Sequence, residues 1–270
     1  MHTLETIEQL FTNDVLDRAR LLMPQGQKKL RKLLGRNTGL LGTSAKIDKE
    51  DKTKVSSRVL YLAPHKLSGV NLCPSARTCV KACLNTAGHG RFTSTQEARI
   101  SKTKQLLADP VAFAALLMLE IQAHAKRCSK AGITGAIRLN GTSDINWSML
   151  WHYIREQGLE TYEYTKRADM ADSALTHVTY SFQGLDHETA EYLQSMVSFT
   201  GRNIAVVFDT PKGAPLPKTW AGLPVLDGDV SDNRFNDPAG AGIVGLRVKG
   251  EGRKLKRSRF IVSTSQGGLV

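Results

Sequence analysis

Cys73, Cys79 and Cys83 are spaced C-x5-C-x3-C in the stretch "NLCPSARTCVKACLNTAGHGRF" (71–92), and His89 follows six residues after the third. Three thiols and one imidazole so close together form the donor set of a structural zinc site, in which thiolates and a neutral ring nitrogen complete a tetrahedron. Three thiolates without the histidine suit a [4Fe-4S] cluster with one iron left open, the arrangement that cleaves S-adenosylmethionine in radical enzymes. Plain apolar packing of small cysteines is the third reading, and the polar neighbours Arg77, Thr78, Lys81 and Asn85 disfavour it. Cys128 stands apart in "AHAKRCSKAG" and is read as packing. His65, His124 and His152 stand alone and receive no functional role.

A second set of groups falls where strands are expected to end. "RLNGTSDIN" supplies Asn140, Ser143 and Asp144, "YEYTKR" supplies Lys166 and Arg167, "VTYSFQG" supplies Ser181 and Gln183, and "VVFD" supplies Asp209. "VLDGDVSDNRFND" adds Asp227, Asp229, Asp232, Arg234 and Asp237. Carboxylates at this density repel one another unless Arg234 pairs with them or chemistry uses them. The alternatives are structural. Asp144 and Asn146 can cap the next helix, Asp209 can form a turn, and an Asp–Arg network can exist without catalysis.

These groups need a scaffold. Residues 1–36 read as helical, with apolar positions at Leu4, Ile7, Leu10 and Phe11 and again at Leu30, Leu33 and Leu34, and with a break at Pro24 and Gly26. Residues 37–57 are polar and read as a loop before the strand "RVLYLA" (58–63). Ser94 with Glu97 forms a capping-box pattern, and Asp109–Pro110 starts a further helix that Gly132 ends. From there strands and helices alternate: "GAIRLNG", "ETYEYTK", "HVTYSF", "NIAVVFD", "LPVLDGD", "AGIVGLRVKG" and "SRFIVST" are the strands, and Asp186 and Gly201 bound one of the helices. The alternation predicts an α/β fold, a complete or partial TIM-like (β/α) barrel, with functional groups at the C-terminal ends of its strands. The expected organisation is an N-terminal helical and basic extension over 1–57 and a barrel-like catalytic domain over 58–270.

The net charge of +12 points to a nucleic-acid partner. It is concentrated in "QKKLRKLLGR" (27–36) and in "LRVKGEGRKLKRSR" (246–259), the latter with seven basic residues against one acid. Lys28, Lys29 and Arg31 from the first, and Lys254, Lys256 and Arg257 from the second, are the expected phosphate contacts on DNA. The most apolar stretch, "VAFAALLMLEIQA", contains Glu120 and is too short for a membrane span. The start "MHTLETIEQLF" lacks a basic segment followed by an apolar one, so the expected location is the cytoplasm, host cytoplasm if the chain is phage-encoded. In that reducing compartment the four cysteines argue against a disulfide framework.

"NLCPSARTCVKACLN", "IRLNGTSDINW", "YEYTKR" and "VLDGDVSDNRFNDPAGAGIVGLRVKG" together resemble the ordered motifs of the phage gene product 88 family over residues from about 40 to 264. Relatives carry an aromatic residue after the third cysteine and "SGD" at the first acidic strand end, where this chain has Leu84 and "TSD". The resemblance extends to the tRNA-guanine transglycosylases and their DNA-directed phage relatives, and it implies exchange of guanine in DNA for a 7-deazaguanine base. One carboxylate would attack the sugar C1′ and hold a covalent intermediate while another assists proton transfer. On that mapping Asp144 and one of Asp209, Asp227 or Asp229 are the pair. Asn140, Ser143, Lys166, Arg167, Asp232 and Arg234 then contact substrate, and Cys73, Cys79, Cys83 and His89 hold Zn2+. In the transglycosylases the zinc ligands come late in the chain, whereas here they come early. The early position suits the alternative, a radical S-adenosylmethionine enzyme, although the spacing is not C-x3-C-x2-C. A zinc-stabilised DNA-binding accessory protein is the non-enzymatic alternative.

Overall fold

The computed structural model describes residues 9–43, 54–171, 173–255 and 258–264. The chain divides into two compact units, one formed by Met1–Pro74 and Thr93–Tyr162, the other by Ser75–Phe92 and Glu163–Val270.

The first unit is organised around one helix. Its helices are α1 (Asn13–Leu22), α2 (Gly26–Leu33), α3 (Thr93–Ala108), α4 (Pro110–Ala131) and α5 (Ser148–Glu156), and its strands are β1 (Leu41–Gly42), β2 (Val55–Leu60), β3 (Thr134–Arg138) and the first half of β4 (Glu160–Thr165). The Asp109 side chain accepts from Ala112 N at 2.9 Å and Pro110 takes the first helical position, so α4 starts where the sequence predicts. Gly132, with φ +63°, ends it in the left-handed conformation that a side chain would resist. Every residue from Ala112 to Met118 is fully buried. A helix apolar all round must be covered all round, and α1, α2, α3 and β3 pack against α4. The helices expected as an N-terminal extension are therefore part of the first unit's core. Strand β2 pairs in parallel with β3, from Val55 opposite Thr134 to Val59 opposite Arg138, three residues earlier than the strand expected over 58–63. Helix α3 begins at Thr93, one residue ahead of the expected Ser94 cap.

The second unit contains the end of β4, the single-turn helix α6 (Ala168–Ala171), β5 (His177–Ser181), α7 (Ala190–Thr200), β6 (Ile204–Phe208), β7 (Thr219–Trp220), β8 (Leu223–Asp227), β9 (Ile243–Arg247) and β10 (Ile261–Val262). Strand β9 lies between β6 and β8, all parallel, and β7 is antiparallel to β8. Because β9 occupies one edge of β6 along its length, the other edge is shared. β5 pairs with its start at Ile204 and Ala205, and β10 with its end at Val207 and Phe208. The core packs Phe182 and Phe208 edge-on against Trp220, with Leu193 and Val197 from α7. Thr189, not Asp186, caps α7 by accepting from Tyr192 N, while Asp186 is exposed and pairs with Arg259.

The strands follow the hydrogen-bonded order β1-β2-β3-β4-β5-β6-β9-β8-β7, with β10 on β6. This is a mixed α/β, mostly parallel sheet, with antiparallel pairing at β1 and β7. A closed barrel has no end strands. Among the described residues no pairing joins β1 to β7, so the barrel expectation reduces to the coarser α/β class. Among the same residues no single helix is long and apolar enough to cross a membrane. Helices α3 and α4 reach that length and composition only together, across a bend of 119°.

Candidate functional sites

Helix α2 carries four cations in eight residues, Lys28, Lys29, Arg31 and Lys32. On a helix of 3.6 residues per turn, Lys28, Lys29 and Lys32 fall within one arc of about 100°, roughly opposite the buried Leu30. They line a concavity of about 750 Å3 whose walls also include Arg31 and Arg36 and contain no acidic residue. The five cations differ in what else they do. Arg36 donates to Gln105 Oε1 at 2.6 Å, to Gly39 O at 2.9 Å and to Thr38, so it fastens the 36–39 turn. Arg31 donates to Gln27 Oε1 at 2.8 Å and lies 3.8 Å from the buried Glu120 carboxylate. Lys28, Lys29 and Lys32 are exposed and have neither a hydrogen bond nor an ion pair among the described residues. Of the expected phosphate contacts, Lys28 and Lys29 are thus available, Arg31 is engaged, and Lys32 joins them unforeseen. Its place one turn after Lys28 was the signal that could have found it.

Glu120 holds this face in place. Its carboxylate accepts from Leu40 N at 3.0 and 2.9 Å and from Leu41 N at 2.9 Å. Lys102 donates to Leu40 O at 2.8 Å. Burial, reinforced by the nearby Arg36 and Arg99 and opposed by Glu120, lowers the Lys102 ammonium to a pKa of about 8. In the sequence Glu120 stands only as a charge inside an apolar stretch, and Lys102 carries no signal of its own.

In the second unit the cysteine-bearing segment lies on the carboxyl ends of the parallel strands. Thr78 donates to Gln183 O just beyond β5, Glu251 N donates to Thr86 Oγ1, and Cys79 packs against a cluster of Ala82, Val248, Phe260 and Ile261. Cys83 Sγ accepts from Asn85 N at 3.5 Å, and the His89 ring stacks on Phe92 with centroids 5.5 Å apart. Cys73 belongs to the first unit, where its thiol accepts from His65 N at 3.3 Å and donates to Thr142 O at 3.6 Å. The donor types suit zinc, but among the described residues no three His, Cys, Asp or Glu side chains are grouped to hold a metal ion.

The carboxyl ends carry further polar groups. Lys166, just past β4, donates from Nζ to Ser181 Oγ at 2.6 Å. The buried Glu188 carboxylate accepts from Tyr180 Oη at 2.9 Å, Gln183 N at 3.1 Å and Leu185 N at 2.7 Å, fixing the turn after β5. Burial and the adjacent Glu188 push the Tyr180 hydroxyl far above the ordinary tyrosine range. At Gly184, with φ +71°, the carbonyl of Arg259 passes so close that an added Cβ would lie 2.2 Å from it.

The expected catalytic acids have structural partners. Asp227 receives two hydrogen bonds from the Arg247 guanidinium, at 2.8 and 2.9 Å, and these hold its carboxyl below the usual range. Asp229 accepts from Arg247 N at 3.0 Å and pairs with Lys249 at 2.8 Å; burial pulls its pKa upward, but these bonds outweigh it and the net shift is down. Asp209 accepts from Thr264 N and Oγ1, both at 2.9 Å, and is likewise lowered although burial opposes it. In the first unit Asp144 is buried, and its backbone N–H bonds Leu72 O at 2.8 Å.

The other expected substrate contacts are spoken for in the same way. Asn140 Oδ1 accepts from Ser143 Oγ, Ile145 N and Trp147 Nε1, so Asn140 and Ser143 shape the turn after β3. Arg167 is held by Asp169 at 2.6 Å. Arg234 bonds Ser231 O and pairs with Asp237 at 3.1 Å, and its backbone N–H reaches Asp232 O at 2.9 Å. Lys254 pairs with Glu251 at 2.8 Å, and Lys256 and Arg257 lie outside the described residues.

Fold and site together define a mixed α/β protein with a mostly parallel sheet, a lysine-lined cleft and a cysteine-bearing segment on its strand ends. The chain belongs to the gene product 88 family, whose model matches residues 29–264. No curated protein and no solved structure matches it.

Proposed function

We propose that this protein is a DNA-binding protein of bacteriophage origin that holds the phosphate backbone on the lysine face of α2. The supporting observation is the acid-free cleft of about 750 Å3, with three unpaired lysines among the described residues on the side of a helix roughly opposite its buried Leu30. Condensed counterions leave a duplex when lysines replace them, and that release drives sequence-independent binding. Fluorescence anisotropy with a labelled duplex tests the reading. The wild-type chain binds, and the combined Lys28→Gln, Lys29→Gln, Lys32→Gln variant loses most of the affinity. Undiminished binding by that variant would overturn it.

One observation favours a second reading, a DNA-modifying enzyme: the cysteine-bearing segment lies at the carboxyl ends of parallel strands, where α/β sheets bind their ligands. Base exchange needs a carboxylate released to attack a sugar carbon. Asp144, buried beyond β3, is the carboxylate on which this reading is tested. Covalent trapping of DNA by the wild-type chain, abolished in Asp144→Asn, would support this reading; trapping that persists in the variant would sink it. Zinc on Cys73, Cys79, Cys83 and His89 rests on donor types and spacing. Elemental analysis decides the matter, with about one zinc per chain supporting a structural site.

A further inference from the structure

The cysteine-bearing segment carries an aromatic surface that the DNA-binding reading leaves unused. Ser75–Phe92, part of the second unit, contains Arg77, Lys81 and Arg91 and no acidic residue. Phe92 is 48% exposed, and its ring stacks on the exposed ring of His89 with centroids 5.5 Å apart and planes inclined by 30°. The Arg91 guanidinium carbon lies 5.8 Å from the centre of the Phe92 ring. Arg77 and Lys81 are exposed and have neither a hydrogen bond nor an ion pair among the described residues.

The ring pair rests on a packed base. Phe92 N donates to His89 O at 3.1 Å and closes the turn between the two rings. At Gly90 an added Cβ would lie 2.8 Å from Leu84 O and 3.1 Å from Asn85 O, so this turn sits directly on the backbone of the preceding one. Asn85 is itself buried. The rings are thus already in place, and a ligand spends little on ordering them.

An exposed ring can simply close a turn, and single apolar side chains on a surface need no partner. That role does not require the cations around it or the absence of acids from the segment. A strand with unpaired bases requires both features, because a ring face takes the base while cations take the phosphates. A duplex conceals its base faces in the helical stack, whereas a single strand exposes them.

We infer that the His89–Phe92 ring pair stacks an unpaired base of single-stranded nucleic acid while Arg77, Lys81 and Arg91 neutralise its phosphates. Stacking uses the face of the His89 ring and not its nitrogens, so the inference stands apart from zinc binding. The surface also lies on a different segment from the lysine face of α2 and does not depend on duplex binding there.

Anisotropy titrations of the full chain with labelled oligo-dT, and separately with oligo-rU, test the inference and distinguish DNA from RNA as the source of the strand. The Lys28→Gln, Lys29→Gln, Lys32→Gln background removes binding at α2, so failure of either site is read separately. In that background a single strand still binds, and Phe92→Ala weakens it about tenfold, as loss of one base–aromatic stack entails. The salt slope of that variant is unchanged because no phosphate contact is lost, whereas Lys81→Gln lowers the slope by about 0.7. Phe92→Trp retains the affinity and adds indole fluorescence that the strand quenches relative to the parent. A ring that only closes a turn gives no such signal, so this variant decides the question even if Phe92→Ala does not fold. Equal affinity of Phe92→Ala and its parent would overturn the inference, and so would an abasic strand that binds as tightly as oligo-dT.

Discussion

Neutralising the lysine face of α2 should flatten the salt dependence of DNA binding by a calculable amount. Lys28, Lys29 and Lys32 have no competing partner among the described residues, so each can replace a condensed counterion. One such contact on duplex DNA contributes about 0.9 to the slope of log K against log salt, and three contribute about 2.7. Between about 50 and 200 mM salt these contacts alone cost the wild-type protein about 40-fold in affinity, and the triple Gln variant escapes that loss. Anisotropy titrations with one labelled duplex at four or five salt concentrations give both slopes. Lys254→Gln is the control, because Lys254 already pairs with Glu251 and neither residue is buried. Its slope should match the wild type, although the sequence placed Lys254 among the phosphate contacts. A triple variant whose slope falls by less than about 0.5 would refute the reasoning, because fewer than one of the three lysines would then be releasing a counterion.

Other outcomes follow from the same geometry. Lysine contacts to phosphate carry no sequence information, so unrelated duplex sequences should bind with the same affinity within about threefold; a strong sequence preference in competition titrations would contradict backbone-only contact. Glu120→Gln leaves a weaker acceptor for Leu40 N and Leu41 N beside buried cations, and should cost about 2–3 kcal/mol in urea unfolding. Lys102 has a folded pKa of about 8 against an unfolded value of 10.5, so the unfolded chain binds more protons between those values and stability rises with pH across that window. The gain is on the order of 3 kcal/mol, and Lys102→Met should remove that rise; an unchanged pH profile in the variant would show that Lys102 is not its source. Gly184→Ala forces a Cβ against the Arg259 carbonyl at a positive φ, and should loosen the segment that carries β10, seen as faster amide exchange at Ile261 and Val262.

The local signals in this sequence are the ones that act within a few residues. Asp109–Pro110 and Gly132 bounded α4, and Gly201 closed α7, because a cap acts on backbone groups within one turn. The alternation of strand and helix from Thr134 onward was legible for the same reason, since periodicity is read along a single element. Asp186 reads as a cap in the sequence because an aspartate before a helix looks the same whether it turns to the helix or, as here, pairs with Arg259, seventy-three residues away. The basic charge of α2 was equally visible, but nothing local distinguished Arg31, drawn toward Glu120, from Lys28, Lys29 and Lys32, which are left to solvent. Among the acids of 227–237, Asp237 meets Arg234 three residues away in the chain, whereas Arg247 reaches Asp227 and Asp229 only because β8 and β9 lie side by side. Likewise Lys166 and Ser181 end different strands, and only the β4–β5 pairing brings them together. Sequence alone determined the elements and the charge. Which charged or polar groups are paired, and which remain available, is decided by contacts between distant segments, because a short-range ion pair or hydrogen bond exists only where the fold closes the gap.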